Sequence, residues 1–238
     1  MIQENIYIIL TEPESPGNVG SVARAMKTTG FANLRLVNPC ATDVAETRMM
    51  AHRSMDIVHN AVHFSSLENA LKDIHVSIGT TMRKRQIKFP QFSPEELALK
   101  IKDLDDDTKV ALVFGRERNG LHNEELNLCQ FQSTIPIVTQ NPALNLAQSV
   151  MIYTYIFMRE MESSQNVNVY KPAGQEAIES VYTHLEQALR RVNFIPRDDM
   201  QTFITRFRRF LGRTIPEVRD LQMLHKIIQV LSGEDKNP

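Results

Sequence analysis

The stretch IYIILTEPESPGNVGSVARAMKTTGF (residues 6–31) passes from an apolar, β-branched run through a Pro- and Gly-bearing loop into a helical pattern. A short apolar run bounded by turn formers reads as a buried strand, and the spacing beyond it predicts a helix starting near Val19. Strand, loop and helix in that order open a parallel βαβ arrangement. The loop carries Asn18 between Gly17 and Gly20, with Arg24 one turn inside the helix. Glycines ahead of a helix let backbone N–H groups approach an anion, and the helix dipole adds attraction. Neither G-x-G-x-x-G nor G-x-x-x-x-G-K-[ST] is present, so neither nucleotide fingerprint applies. The expected occupant of this loop is polar, an anion among the candidates.

Working outward, the same alternation recurs. Strands are expected at 6–11, 34–37, 61–64, 75–80, 109–115 and 132–137, with helices starting near Thr42, Ser66, Ser93 and Asn123. Ser65 or Ser66 caps one helix; Ser93 caps another, with Pro94 at its first position and acids in its first turn. Strands alternating with helices predict an α/β fold around a mainly parallel sheet. The stretch 143–161 is apolar on more than one face, which marks a helix packed on several sides. Core is the first reading, a subunit interface the second. A polar segment then reads as a linker, followed by helices at about 175–192, 199–212 and 216–232. The expected organisation is a main domain over 1–162, a linker over 163–175 and a helical extension over 176–238.

Composition narrows the function classes. The 238 residues carry 27 basic and 28 acidic side chains, which argues against indiscriminate polyanion binding but leaves room for a local basic patch. Residues 1–169 hold 16 basic against 19 acidic groups, and residues 170–238 hold 11 against 9. Cys40 and Cys129 fit no zinc spacing and read as reduced thiols. His59 and His63 fall in strand and loop, so no metal is expected. Glu4 stands where a signal peptide would be basic, and no apolar run reaches the roughly 20 residues of a membrane span, so a soluble cytoplasmic protein is expected. No Ser-His-Asp or Cys-His arrangement is readable from spacing.

Three segments carry candidate chemistry. VALVFGRERNGLHNEEL (110–126) is a buried-type strand ending at Gly115, then charges, a second glycine and a helix. In open parallel sheets, ligands sit beyond the carboxyl ends of strands, and Gly79-Thr80-Thr81 ends another strand in the same manner. IPIVTQNPALNLAQSV (135–150) runs from a strand through Asn141-Pro142 to Asn145 at a helix start. In QTFITRFRRFLGR (201–213), Phe203, Phe207, Phe210 and Leu211 share one helix face. Arg206, Arg209 and Arg213 form a stripe beside it, either a solvated basic face or a track for phosphates.

Taken together, NVGSVARAM (18–26), VFGRERNGL (113–121) and IP…ALNLAQSV (135–150) resemble the three ordered motifs of the SPOUT RNA methyltransferases. The likeness is to the TrmH-like branch, which methylates ribose 2′-hydroxyls, and within it to the enzymes acting on tRNA cytidine and uridine. It covers the whole main domain and extends to the helical C-terminal segment. It implies an α/β fold closed by a trefoil knot, S-adenosyl-L-methionine as cofactor, and a homodimer whose subunits complete each other's sites. Carried over by motif, the cofactor site holds Thr80, Thr81, Met82, Gly115, Ile135, Pro142, Ala143 and Leu144. Arg24 matches the catalytic arginine supplied by the other subunit, with Asn18 beside it. Glu117 and Asn145 match residues that orient Asn18 or Arg24. Arg24, Arg206, Arg209 and Arg213 are the implied RNA contacts, and the implied target is pyrimidine 32 of the anticodon loop. Many relatives carry serine where this chain has Ala143, which puts in doubt a mechanism needing a hydroxyl there. Methylation of ribosomal RNA, or RNA binding without catalysis, are the alternatives.

Overall fold

The computed structural model describes residues 2–82, 90–138, 144–162 and 171–233. Its strands are β1 (Ile6–Thr11), β2 (Asn33–Val37), β3 (Val62–Phe64), β4 (Val76–Thr80), β5 (Gln91–Phe92), β6 (Val110–Phe114) and β7 (Phe131–Ser133). They form one sheet in the order β3-β2-β1-β6-β4-β7-β5, parallel throughout. The helices are α1 (Pro16–Thr28), α2 (Ala45–Ala51), α3 (Met55–His59), α4 (Leu67–Leu71), α5 (Pro94–Ile101), α6 (Asn123–Leu128), α7 (Leu146–Glu162), α8 (Gln175–Arg191), α9 (Met200–Leu211) and α10 (Val218–Ser232).

Alternation along the strands divides the core between two faces. Ile6, Ile8 and Leu10 join Leu112 and Phe114 in one apolar cluster, covered by α1, α5 and α7. Ile9 joins Ala111 and Val113 in the other, covered by α4 and α6. Burial on both faces explains why the central strands read as continuous apolar runs. Expectation and structure differ mainly at segment ends. Helix α1 begins at Pro16 because the Ser15 hydroxyl accepts from the Asn18 N–H at 3.3 Å and caps it there. Strand β7 stops at Ser133 rather than 137, and the two-residue β5 was too short to carry a pattern.

Helices α8, α9 and α10 enclose their own apolar cluster around Ile178, Val181, Tyr182, Ile204 and Leu221. This unit is fastened to the N-terminal ends of the strands. The Gln175 N–H donates to Ile74 O at 2.8 Å, and its side-chain amide donates to Leu128 O at 2.9 Å. The Ser77 hydroxyl donates to Gln175 Oε1, and the Gln130 amide donates to Thr214 O at 3.0 Å. Ile74 precedes β4 and Gln130 precedes β7, so the attachment lies at the opposite strand ends from the loops after Thr80 and Ser133.

Gly20 has a packing reason. A Cβ there would stand 2.4 Å from Thr47 O and 2.9 Å from the Ala51 nitrogen, because α2 crosses α1 against bare backbone. Gly20→Ala is expected to destabilise the protein by about 2 kcal/mol through overpacking, lowering the thermal midpoint by roughly 4–8 °C. Calorimetry checks this; an unchanged midpoint would show that α2 shifts without cost.

Candidate active site

Strand β1 pairs with β6 from Ile6↔Val110 to Leu10↔Phe114, so the loops leaving their C-terminal ends run side by side. The loop after β6 folds on itself. Gly120 N donates to Arg116 O at 2.8 Å, Gly120 has φ +62°, and a Cβ on Gly115 would lie 2.1 Å from the Gly120 carbonyl carbon. Both glycines of GRERNG are therefore demanded by the turn. Its side chains then point different ways. Arg116 turns inward, donating to Glu12 at 2.9 Å and to both Glu125 oxygens at 3.0 Å, and so ties β1 to α6. Arg118 points outward and is 86% exposed, with Glu14 at 3.5 Å.

Glu117 reaches across to the β1–α1 loop. Its carboxylate accepts from Glu14 N–H at 2.9 Å, Ser15 N–H at 3.2 Å and the Asn18 side-chain amide at 2.9 Å. Having given its N–H₂ to an acceptor-only carboxylate, Asn18 turns its oxygen outward, where it accepts from Asn145 Nδ2 at 2.9 Å. The Asn145 oxygen in turn accepts from Ala147 N–H at 2.8 Å, at the start of α7. Three residues from three distant motifs thus form one polar chain, Glu117–Asn18–Asn145. Burial pushes the Glu117 carboxyl up, but the donors from Asn18, Glu14 and Ser15 outweigh it and hold the group below its ordinary value.

The anion expected at the α1 N-terminus is supplied by the protein itself. Gly17 N–H donates to Glu46 Oε1 at 3.2 Å, and a Cβ on Gly17 would meet that oxygen at 2.5 Å. Glu46 and Glu117 occupy this end of the helix, so the phosphate-cradle reading of the glycine pair is corrected: one glycine admits a carboxylate and the other a helix.

Beside the polar chain, beyond the ends of β4, β6 and β7, lies a cavity of about 190 Å³. Thr80, Thr81, Met82, Gly115, Ile135 and Leu144 all line it, as the motifs implied. Pro142 and Ala143 lie outside the described residues. Thr80 Oγ1 donates to Val113 O at 2.9 Å and Thr81 N–H donates to Ser133 O at 2.9 Å, which fixes that wall. Leu146, Ser149 and Tyr153 of α7 complete the cavity and were not singled out from sequence, although their i, i+3, i+7 spacing marks one helix face. The Tyr153 hydroxyl is buried there, beside Ser133, and closes no well-formed hydrogen bond.

Arg24 stands apart. It is exposed on α1, six residues and about 9 Å beyond Asn18. With Ala25, Ala147, Gln148, Met151 and Ile152 it lines a separate open apolar depression, which meets the cavity at Leu144. Among the described residues, Glu117 contacts Asn18 and not Arg24. In the C-terminal unit, Arg206 pairs with Asp198, while Arg208 grips Glu179 with both nitrogens at 2.5 Å and lies 4.2 Å over the Tyr182 ring. Phe210, expected on the packed face, is 65% exposed instead. No group of three or more potential metal ligands occurs among the described residues, and no described helix is long and apolar enough to cross a membrane.

Because Glu117 ionises below its ordinary value, the stability it contributes is fully present above the unfolded carboxyl pKa and is lost as pH falls through the folded one. Glu117→Gln places an N–H₂ among donors, and is expected to cost about 1–3 kcal/mol at pH 7. Urea titrations of parent and variant should converge as pH drops below the usual carboxylate range; a gap independent of pH would refute the ionised role.

Comparison with known proteins fits this geometry. Residues 5–155 match the model of the SpoU rRNA Methylase family, and residues 176–237 match that of the tRNA methyltransferase TrmJ, C-terminal domain. The chain is 36% identical over 239 residues to the tRNA (cytidine/uridine-2′-O-)-methyltransferase TrmJ of Sodalis glossinidius, covering 98% of this chain and 93% of that protein. It is 35% identical over 230 residues to the protein of the same name from Pectobacterium atrosepticum, covering 94% and 95%. Among solved structures, TrmJ from Z. mobilis ZM4 superposes with a TM-score of 0.76 at 29% identity, covering 94% of this chain and 98% of that one. A family model over residues 5–155 and relatives alike over nearly the whole chain settle the family: the chain belongs to the SpoU rRNA Methylase family.

Proposed function

We propose that this protein transfers a methyl group from S-adenosyl-L-methionine to a ribose 2′-hydroxyl of tRNA. The observation that carries the reading is the meeting of Glu117, Asn18 and Asn145 beside the cavity, in a chain similar from end to end to tRNA 2′-O-methyltransferases. The cavity suits the cofactor chemically. Apolar Met82, Ile135 and Leu144 offer contacts for an adenine ring, backbone groups at Thr80 and Gly115 offer hydrogen bonds, and the buried Tyr153 hydroxyl still has bonding capacity. Pro142 and Ala143 belong to this site by motif.

S-adenosyl-L-methionine, when bound, supplies a methyl already activated on sulfonium. What remains for the protein is to align the ribose oxygen and to favour loss of its proton. Glu117, Asn18 and Asn145 act as positioning residues that lock the β1–α1 loop to the start of α7. Arg24 has the catalytic role. A guanidinium stays protonated, so it stabilises the developing alkoxide and a neighbouring phosphate rather than acting as base. The proton passes to phosphate or water. Ala143 offers no hydroxyl, so the mechanism runs without one at that position.

Arg24 faces away from its own cavity, in an apolar depression continued by half-buried Met151 and Ile152, with Tyr155 exposed on the same helix. We read this surface as the interface of a homodimer, in which Arg24 of one subunit completes the cavity of the other. The return of α7 past the loops after β4 and β6 we read as the trefoil threading. Residues 1–162 form the catalytic domain and 176–238 the tRNA-binding extension, with 163–175 between them. The target is pyrimidine 32 of the anticodon loop, methylated in the cytoplasm. A ribosomal RNA substrate is suggested by the family's name, but the match of residues 176–237 to the TrmJ C-terminal domain favours tRNA.

Incubation with labelled S-adenosyl-L-methionine and unmodified total tRNA should yield a 2′-O-methylpyrimidine, with ribosomal RNA unlabelled. Label confined to ribosomal RNA would overturn the substrate. Arg24→Ala is expected to lower kcat by about 10²–10³. Mixing that inactive variant with an inactive cavity variant, Gly115→Val, should restore about a quarter of the activity, since half the dimers then carry one undamaged site of two. No restoration would mean that each subunit uses its own Arg24.

A further inference from the structure

Every apolar side chain of α9 packs into the C-terminal core except one. Met200, Phe203, Ile204, Phe207 and Leu211 all join the cluster, whereas Phe210 is left 65% exposed. Phe210 is flanked by arginines in the chain: Arg206 lies one turn before it, Arg209 is adjacent, and Arg213 follows just past the helix end. Helix α9 contains no acidic residue. Asp198, just before it, is taken up by Arg206, and Asp199 caps the helix through Thr202 N–H at 2.8 Å. Arg209 and Arg213 pair with no acid among the described residues.

The ring has an aromatic neighbour on its own helix. Phe210 leans on Phe207 at a centroid separation of 6.2 Å, and Phe207 meets Tyr182 edge-on at 6.2 Å. Tyr182 is buried beneath Arg208, whose guanidinium is fixed by Glu179. An exposed aromatic ring beside the unpaired guanidiniums of Arg209 and Arg213 is poorly suited to a protein partner's apolar face, since both arginines would have to be desolvated without a counter-charge. It suits a nucleic acid, which brings phosphates for the arginines and a flat π-face for the ring.

We propose that Phe210 is a stacking platform for an unpaired base of the tRNA, with the unpaired Arg209 and Arg213 gripping the phosphates beside it. The inference rests on the tRNA reading above and adds to it a contact with a base. Within one chain that contact lies at the strand ends opposite the cavity. The α8–α10 unit is fastened to the strand ends opposite the cavity, and β4 alone separates Ile74 from Thr80 by roughly 15 Å.

The chain contains no tryptophan, so Phe210→Trp creates a single reporter at the platform. Phe210→Ala should weaken tRNA binding by about tenfold to a hundredfold with the salt dependence unchanged, while Arg209→Ala should flatten that salt dependence by about one phosphate contact. Phe210→Trp should keep parental affinity, and its emission should be quenched by tRNA but not by a fully paired RNA duplex. Parental affinity in Phe210→Ala, or unquenched emission at saturating tRNA, overturns stacking while leaving methyl transfer to tRNA standing. A change in sedimentation of Phe210→Ala without tRNA assigns the ring to self-association and overturns stacking as well. A parent protein that neither binds nor methylates tRNA overturns both readings together.

Discussion

The Glu117 carboxylate, seated between two loops from neighbouring strands, is the interaction on which this site depends. It is a half-buried charge, and a charge drawn out of water is tolerated only when its acceptor capacity is filled. Glu14 and Ser15 fill it with backbone N–H groups, and Asn18 with a side-chain amide. That single group thereby sets the path of the β1–α1 loop, the rotamer of Asn18 and, through Asn145, the start of α7. Since Leu146, Ser149 and Tyr153 of α7 line the cavity, one carboxylate on the opposite loop is linked to its wall through Asn18 and Asn145.

The three motifs divide the labour of folding and of chemistry. Gly115 and Gly120 allow the β6 loop to close, Arg116 nails it to Glu12 and Glu125, and only then is Glu117 aimed across the sheet. In the first motif, Gly17 and Gly20 accommodate Glu46 and α2, so residues that look like ligand-binding glycines are packing residues. Arg24, in the same motif, has no such structural duty among the described residues. It lies exposed in an apolar depression that meets the cavity at Leu144.

Much of this was legible in advance. The apolar runs of β1 and β6 are buried on both faces, and such strands announce themselves without periodicity. The caps at Ser66 and Ser93 and the glycines of GRERNG also read directly, because each follows from local backbone geometry. Other features were not. Arg116 pairs with acids 104 and 9 residues away, and nothing in the spacing marks those partners. Tyr153 was not singled out, because its place in the cavity depends on which elements pack against α7. Phe210 falls by angle on the packed face of α9, but at the last turn of the helix that face has no neighbouring element left to cover it.

What the sequence by itself determined is the parallel α/β architecture, the helical C-terminal unit and the chemical inventory of the site. These depend on local spacing and on side-chain identity, which travel with the chain. What only the tertiary structure decided is which of those residues meet. That Glu117 holds Asn18 rather than Arg24 follows from the β1–β6 register; that a carboxylate rather than a ligand fills the α1 N-terminus follows from the approach of α2. Strand register and helix approach are set by the sum of many non-local contacts, and no single segment carries that sum.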